Sequence, residues 1–202
     1  MLDAMQFKDE DIFFSPSDLI TFLESPFASH MERSLLEDKS VNIHLDPKDA
    51  MLSNLQKKGY LHESEFLSSL ISSGKNILEI KKEKNDLMLV KTKDAMAKGF
   101  DVIAQAYLQL ENFGGFADFL IKVPGKSNFG NYHYEVWDTK LSKKMKPYFA
   151  VQLCSYAEML ENIQGIKPEK IAIVLGDKKL IHLRTQDFFS YYRLLIIFYF
   201  IS

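Results

Sequence analysis

Asp138 and Lys140 have the types and the spacing of a hydrolytic site. They lie two residues apart in a segment rich in aromatic and β-branched residues, 132–141, whose composition predicts a strand. Side chains alternate across a strand, so the carboxylate and the ammonium are expected on one face. A lysine in this position can hydrogen-bond an attacking water molecule or the oxygens of a phosphate in the transition state.

Asp118 lies in a second predicted strand, residues 116–123, which precedes the first. If the connecting turn is centred near Asn128, Asp118 falls directly opposite Asp138, with about 5 Å between their Cβ atoms. Two like charges at that separation repel, and a cation between them removes the repulsion. Carboxylates suit Mg²⁺ or Mn²⁺, and such a site favours metal-dependent phosphodiester hydrolysis. A shift of one residue in register would separate the two acids.

The elements that must position these residues follow the order of an α/β domain, with helices first and then a sheet with an inserted helix. One domain is expected, with a helical part at 1–75, an α/β core at 76–184 and an apolar helix at 185–202. The predicted helices are residues 16–25, 46–73 with a break at Gly59, a stretch within 86–107, and 148–164. The predicted strands are 76–80, 116–123, 132–141, 170–175 and 178–183.

The charge balance limits the mode of nucleic-acid binding. The chain has 202 residues and a net charge of −2, so it has no general positive field. Basic contacts with nucleic acid must therefore come from local runs, although most lysine runs are simply solvated. The candidate runs are Lys57-Lys58, Lys81-Lys82-Lys84 and Lys143-Lys144-Lys146.

The cysteine content and the ends of the chain indicate a cytoplasmic protein. Cys154 is the only cysteine, which excludes an internal disulfide and fits a reducing compartment. The first residues are acidic where a secretion signal needs a basic flank. The apolar stretch 188–201 is shorter than the ~20 residues of a membrane span, so no membrane association is expected.

Five short motifs occur in an order and spacing that resemble the RecB-like PD-(D/E)XK nucleases. They are Ser15-x-Ser17-x-Leu19, Lys58-Gly59-x-x-His62-Glu63, Gly115-x-x-Asp118, Asp138-Thr139-Lys140 and Gln152-x-x-x-Tyr156. The resemblance is to a bacterial branch in which an RNase H-like domain, and sometimes a helicase, follows the nuclease domain. It implies a restriction-endonuclease-like core, a mixed β-sheet flanked by helices with an N-terminal helical segment. It also implies DNA cleavage in repair, recombination or processing.

The resemblance assigns roles to the residues of these motifs. Asp118 and Asp138 become metal ligands, His62 completes the metal site, and the Thr139 carbonyl is a further ligand. Lys140 becomes the catalytic lysine. Asp138 stands where many relatives have glutamate, which keeps the charge and shortens the side chain by one methylene.

Two further expectations concern Glu63 and the helix that follows the lysine strand. Adjacent helix residues do not share a face, so with His62 at the metal Glu63 is expected to point elsewhere. Gln152 and Tyr156, four residues apart, share a helix face, from which they contact the DNA backbone or brace the site.

An iron–sulfur cluster is excluded by the thiol count. Some relatives hold a four-cysteine cluster whose first cysteine precedes a proline in an early helix. Here Ser25-Pro26 occupies that place, and Cys154 cannot form a cluster alone.

Two other functions stay open on the sequence. A catalytically inactive nucleic-acid-binding module would keep the fold without turnover, and an interaction domain without nucleic acid would use the apolar C-terminal segment. For a nuclease, the sequence leaves open single- or double-stranded DNA, DNA or RNA, and endo- or exonuclease action.

Overall fold

The structure is a computed structural model in which residues 5–8, 11–38 and 50–201 are described. The strands are β1 Gln6–Lys8, β2 Asp11–Phe13, β3 Ile77–Glu79, β4 Val102–Leu110, β5 Phe113–Ser127, β6 Gly130–Thr139, β7 Lys170–Val174 and β8 Leu180–Arg184. The helices are α1 Pro16–Glu24, α2 Pro26–Glu37, α3 Ala50–Ser72, α4 Asn85–Lys98, α5 Pro147–Gln164 and α6 Thr185–Ile201.

One mixed sheet forms the centre of the fold. Its strands lie in the order β3-β4-β5-β6-β7-β8, and β1 and β2 form a separate antiparallel pair. The pairs β3–β4 and β6–β7 are parallel, and the other neighbours are antiparallel. The expected α/β architecture, with a mixed sheet flanked by helices, is therefore present.

Helices cover both faces of the sheet, and the alternation of side chains along β5 shows how. Phe119 and Ile121 pack with Phe66 of α3 on one face. Leu120, between them, points to the other face, where it joins the larger core that includes Leu153 of α5. Both faces are apolar because each is buried under helices.

The stretch 86–107 contains the expected helix, and it also contains the start of a strand that was not predicted. α4 ends at Lys98, and Gly99 follows with a left-handed φ of 73°, a conformation that glycine adopts without steric cost. β4 then begins at Val102. Its first three residues are fully buried. A continuous apolar run of this kind has no strand-like alternation, and this explains why β4 was not predicted.

Two other boundaries differ from expectation. α3 runs through Gly59 without a break, whereas its predicted start near Asp46 or Pro47 lies outside the described residues. The segment 124–131, which separates the two predicted strands, is itself mostly strand, since β5 continues to Ser127 and β6 begins at Gly130.

α6 is only partly covered by the rest of the protein. It buries Tyr192, Leu195 and Tyr199 against the core, while Leu194 and Ile201 are exposed. None of the helices in the described ranges combines the length and the apolar character that crossing a membrane requires.

Candidate active site

The β5–β6 hairpin sets the positions of the two acids. Phe119 pairs with Trp137, and Leu120 pairs with Val136. One step further in the same antiparallel register, Asp118 lies opposite Asp138. The register is the one that the sequence predicted.

The negative charge of Asp118 is only partly stabilised by its surroundings. The N–H and the hydroxyl of Thr139 both donate to its Oδ2 atom at 2.8 Å. Even so, its pKa is raised well above the usual value, because burial disfavours the charged form and the charges of Asp138 and Glu63 add to the effect. The carboxylate therefore has reason to attract a cation.

Asp138 and Lys140 are paired on the same face of the sheet. Asp138 is 6% exposed. Its Oδ2 accepts no well-angled hydrogen bond from the described residues, and its contact is with the Lys140 ammonium, 2.7 Å away. Burial lowers the pKa of Lys140, but the charges of Asp138 and Asp118 outweigh that effect and raise it, so the side chain is a cation at neutral pH.

α5 supplies two side chains that act on different neighbours. Gln152 accepts a hydrogen bond from the Lys140 ammonium through Oε1, at 3.0 Å. Tyr156 is almost completely buried and donates from its hydroxyl to the Phe116 carbonyl at 2.7 Å. The two residues of the predicted pair thus have different roles. Gln152 positions the lysine, and Tyr156 holds α5 against β5.

The glycine three residues before Asp118, Gly115, is required by close packing. A Cβ atom at this position would lie 3.0 Å from Pro16 Cδ and 3.1 Å from Tyr156 Oη. Both contacts are tighter than ordinary van der Waals separation, so a side chain would push the start of α1 or α5 away from β5. Close approach of the three elements therefore depends on glycine.

His62, expected to complete the metal site, contacts β7 and is not among the residues that line the cleft with Asp118 and Asp138. It is 8% exposed, and its Nε2 lies 3.3 Å from the Val174 carbonyl oxygen. That oxygen also accepts the Lys140 backbone N–H at 2.9 Å. The position of His62 fits a structural contact between α3 and β7.

Glu63, expected to point elsewhere, is the α3 residue that reaches the acids. Burial raises its pKa; the hydrogen bond that Gln105 Nε2 donates to Oε1 lowers it, and the charge of Asp138 raises it further. The reasoning from helix geometry was sound, since only one of two adjacent residues faces the site. Glu63, and not His62, lines the cleft with the two acids, and nothing local in the sequence fixes how α3 is rotated.

Gln105 belongs to the site and was not predicted. It lies in β4 between Ala104, which pairs with Phe119, and Ala106, which pairs with Ala117. Its φ is 52°, a left-handed conformation that costs a residue with a side chain about 1–2 kcal/mol. Strained backbone of this kind concentrates at functional sites, yet a glutamine in a strand carries no sequence signal of it.

Except for His62, the site residues described above line a cleft of about 610 Å³. Every one of the five motifs contributes to its walls, through Ser15, Glu63, Asp118, Lys140 and Tyr156 among others. The volume is in the range of ligand-binding pockets. Motifs that are up to about 140 positions apart in the chain therefore converge on one cavity.

The acids fit a hard divalent cation by chemistry. Asp118 and Asp138 offer carboxylate oxygens, and Glu63 is near enough for its charge to raise the pKa of Asp118. Within residues 5–8, 11–38 and 50–201, no three His, Cys, Asp or Glu side chains already form a compact group that could hold a metal ion. The arrangement is thus a pair of acids with a third close by.

Comparison with known proteins adds no relative. No protein-family model matches the chain. No curated protein has significant sequence similarity to it. A functional assignment therefore depends on the motifs and on the geometry of the cleft.

Proposed function

We propose that this chain is a metal-dependent nuclease with a PD-(D/E)XK-type core that hydrolyses DNA phosphodiester bonds. The observation that carries the proposal is the meeting of Asp118 and Asp138 across β5 and β6, with Lys140 2.7 Å from Asp138. The cleft around them collects residues of all five motifs, which an accidental Asp-x-Lys would not explain. RecB-like nucleases are the family that the motifs resemble.

Asp118 and Asp138 are the residues that would hold Mg²⁺ or Mn²⁺. Glu63 takes the place that the sequence gave to His62, and the Thr139 carbonyl is a further candidate, because its N–H already points to Asp118. A divalent ion held by carboxylates makes water more acidic and neutralises charge on a phosphate. The raised pKa of Asp118 supports the assignment, since a bound cation offsets both the burial and the repulsion from Asp138 that cause it.

Lys140 is the group that acts on the phosphate. Its ammonium is held at the cleft by Asp138 and by Gln152 Oε1. From there it can donate to a phosphate oxygen, where negative charge develops in the transition state. Gln152 Oε1 would still hold the ammonium if Asp138 were a ligand of the metal ion.

A catalytically inactive nucleic-acid-binding module is the second candidate, and the ion pair favours it. Lys140 already neutralises part of the charge of Asp138 without any metal. Such a module would bind DNA with no dependence on Mg²⁺ or Mn²⁺. Cleavage, rather than binding, separates the two functions.

The test is Asp138→Asn, which removes the charge and keeps the shape of the side chain. Labelled single- and double-stranded DNA are incubated with Mg²⁺ or Mn²⁺, and cleavage is followed on denaturing gels. The wild-type chain should cleave the DNA, and cleavage should stop when the metal is chelated. The variant should lose about 10³-fold or more of the rate, because a ligand of the ion is gone.

Asp94→Asn is the matched control, since Asp94 is an exposed residue of α4. It should cleave at the wild-type rate. Circular dichroism checks that both variants are folded. Equal activity of Asp138→Asn and wild type would overturn the assignment of the site, and DNA binding without any cleavage would select the inactive module.

A further inference from the structure

We infer that Lys81, Lys82 and Tyr60 form a subsite that binds the nucleic-acid strand beside the cleaved bond and requires an unpaired base. The inference rests on the proposed function. It adds a contact surface to the cleft and names the form of nucleic acid that fits it.

The first observation is the charge of the cleft wall. Of the three basic runs in the sequence, only Lys81-Lys82-Lys84 contributes lining residues, namely Lys81 and Lys82. Both side chains are exposed, and neither forms an ion pair with another of the described residues. The neighbouring Glu83 pairs with Lys91 instead, at 2.6 Å. Two ammonium groups are thus available for phosphates.

The second observation is that the charge is divided within the cleft. The carboxylates of Asp118, Asp138 and Glu63 affect one another, and Glu79 at the end of β3 acts on Glu63. The wall then continues through Lys81 and Lys82. A phosphodiester chain needs this division, because cations must hold the flanking phosphates while the acids hold the metal.

The third observation is the aromatic surface next to the lysines. Tyr60 of α3 lines the same cleft and is 56% exposed. The Lys82 ammonium lies 5.8 Å from the centre of the Phe116 ring, which is another lining residue. Aromatic rings interleaved with cations are the usual platform for single strands, since each base can stack on a ring.

An unpaired base follows from this arrangement. In a duplex the base faces are covered by neighbouring bases, so a ring such as Tyr60 can stack only on a base that has left the helix. The cleft volume of about 610 Å³ is that of a small-ligand pocket, which suits one or two nucleotides rather than the width of a duplex.

The test measures binding without cleavage. Every protein is the full chain carrying Asp118→Asn, in EDTA, and the probe is a fluorescein-labelled oligothymidylate of about 12 nucleotides followed by anisotropy. Lys81→Ala with Lys82→Ala should weaken binding about tenfold or more and reduce the salt dependence, because each lost phosphate contact removes about 0.7 from the slope. Tyr60→Ala should weaken binding about fivefold or more, and Tyr60→Phe should not.

Lys143→Ala with Lys144→Ala is the matched control, since it removes the same charge outside the cleft. It should change the affinity by less than about twofold. Equal loss in both double variants, duplex bound as tightly as the single strand, or no binding at all would overturn the subsite. Thermal melting confirms that the exposed substitutions leave the fold intact.

The two proposals fail separately. If the parent chain binds the oligonucleotide through Lys81 and Lys82 but wild type never cleaves it with Mg²⁺ or Mn²⁺, the nuclease assignment falls and the subsite stands. If wild type cleaves while the Lys81 and Lys82 changes leave binding unaltered, the subsite falls and the nuclease stands.

Discussion

The two ends of β6 both carry buried polar groups, and they differ in how completely those groups are satisfied. Near the start of the strand, Gln164 of α5 is fully buried and uses both ends of its amide. Its Oε1 accepts the Tyr134 N–H at 2.8 Å, and its Nε2 donates to the carbonyls of Tyr134 at 3.1 Å and Ile166 at 3.0 Å. The amide thus acts as a further strand partner for β6.

At the other end of β6, Asp138 and Lys140 lie beside buried acids whose negative charges are not fully compensated. Asp118 and Glu63 have raised pKa values because burial and neighbouring negative charges disfavour their ionised forms. Gln105, which holds Glu63, has a left-handed backbone. The hydrogen-bonded end therefore stabilises the fold, whereas the end with the acids is less stable than it would be with a bound cation and a phosphate.

The largest expected effect tests the hydrogen-bonded end. Gln164→Ala leaves the N–H and the carbonyl of Tyr134 without partners in the core, so the free energy of unfolding should fall by about 3 kcal/mol. Cleavage per folded molecule should be unchanged, because Gln164 does not line the cleft. Chemical denaturation and cleavage rates normalised to folded protein measure the two effects.

Gln152→Ala is the matched change at the other end. It should lower the free energy of unfolding by only about 1 kcal/mol or less, because the side chain is half-buried at the cleft wall, and should slow cleavage about tenfold because Lys140 loses this acceptor. If Gln152→Ala unfolded the protein and Gln164→Ala slowed catalysis, the contrast between the two ends would be reversed.

The next prediction tests whether Glu63 or His62 is the third ligand of the metal ion. Glu63→Gln should weaken Mn²⁺ binding about tenfold, because a negative charge near Asp138 is removed. His62→Gln, its neighbour on α3, should change the affinity by less than about threefold, since its ring contacts Val174. Isothermal titration calorimetry gives both constants. A larger loss in His62→Gln would restore the histidine as a ligand and displace Glu63.

The sequence predicted the hairpin better than it predicted the helix facing it. The acids were placed correctly because strand alternation and the turn near Asn128 fix the register, and both are local. The rotation of α3 about its own axis depends on the packing of Phe66 against Phe119 and Trp137. The spacing of residues within the helix does not reveal this tertiary contact. The same limit explains the exchange of His62 and Glu63.

β4 and Gln105 were missed for a different reason. A strand buried on both faces has no alternation, so residues 102–107 could be assigned to the preceding helix. A left-handed residue inside a strand is usually glycine or asparagine, and Gln105 is neither. The left-handed backbone of Gln105 is found only in the folded structure, where β4 lies beside β5 and Gln105 contacts Glu63 of α3.

The smallest expected effect concerns the stability of the acid pair, and its sign depends on pH. The folded state binds a proton at Asp118 more tightly than the unfolded chain does, because the folded pKa is raised. That contribution is fully present below the unfolded pKa of about 4 and is lost as pH rises through the folded pKa. Asp118→Asn cannot lose a proton, and its oxygen still accepts from Thr139.

Without metal, Asp118→Asn should therefore match wild type near pH 4 and have the higher free energy of unfolding at pH 8. Added Mg²⁺ should stabilise only the wild type, so the order of the two proteins should reverse. Asp94→Asn should follow the wild type in all conditions. If Asp118→Asn were less stable than wild type at pH 8 without metal, the repulsion between the acids would be already neutralised within the protein, and the reason for a cation at this end of β6 would be gone.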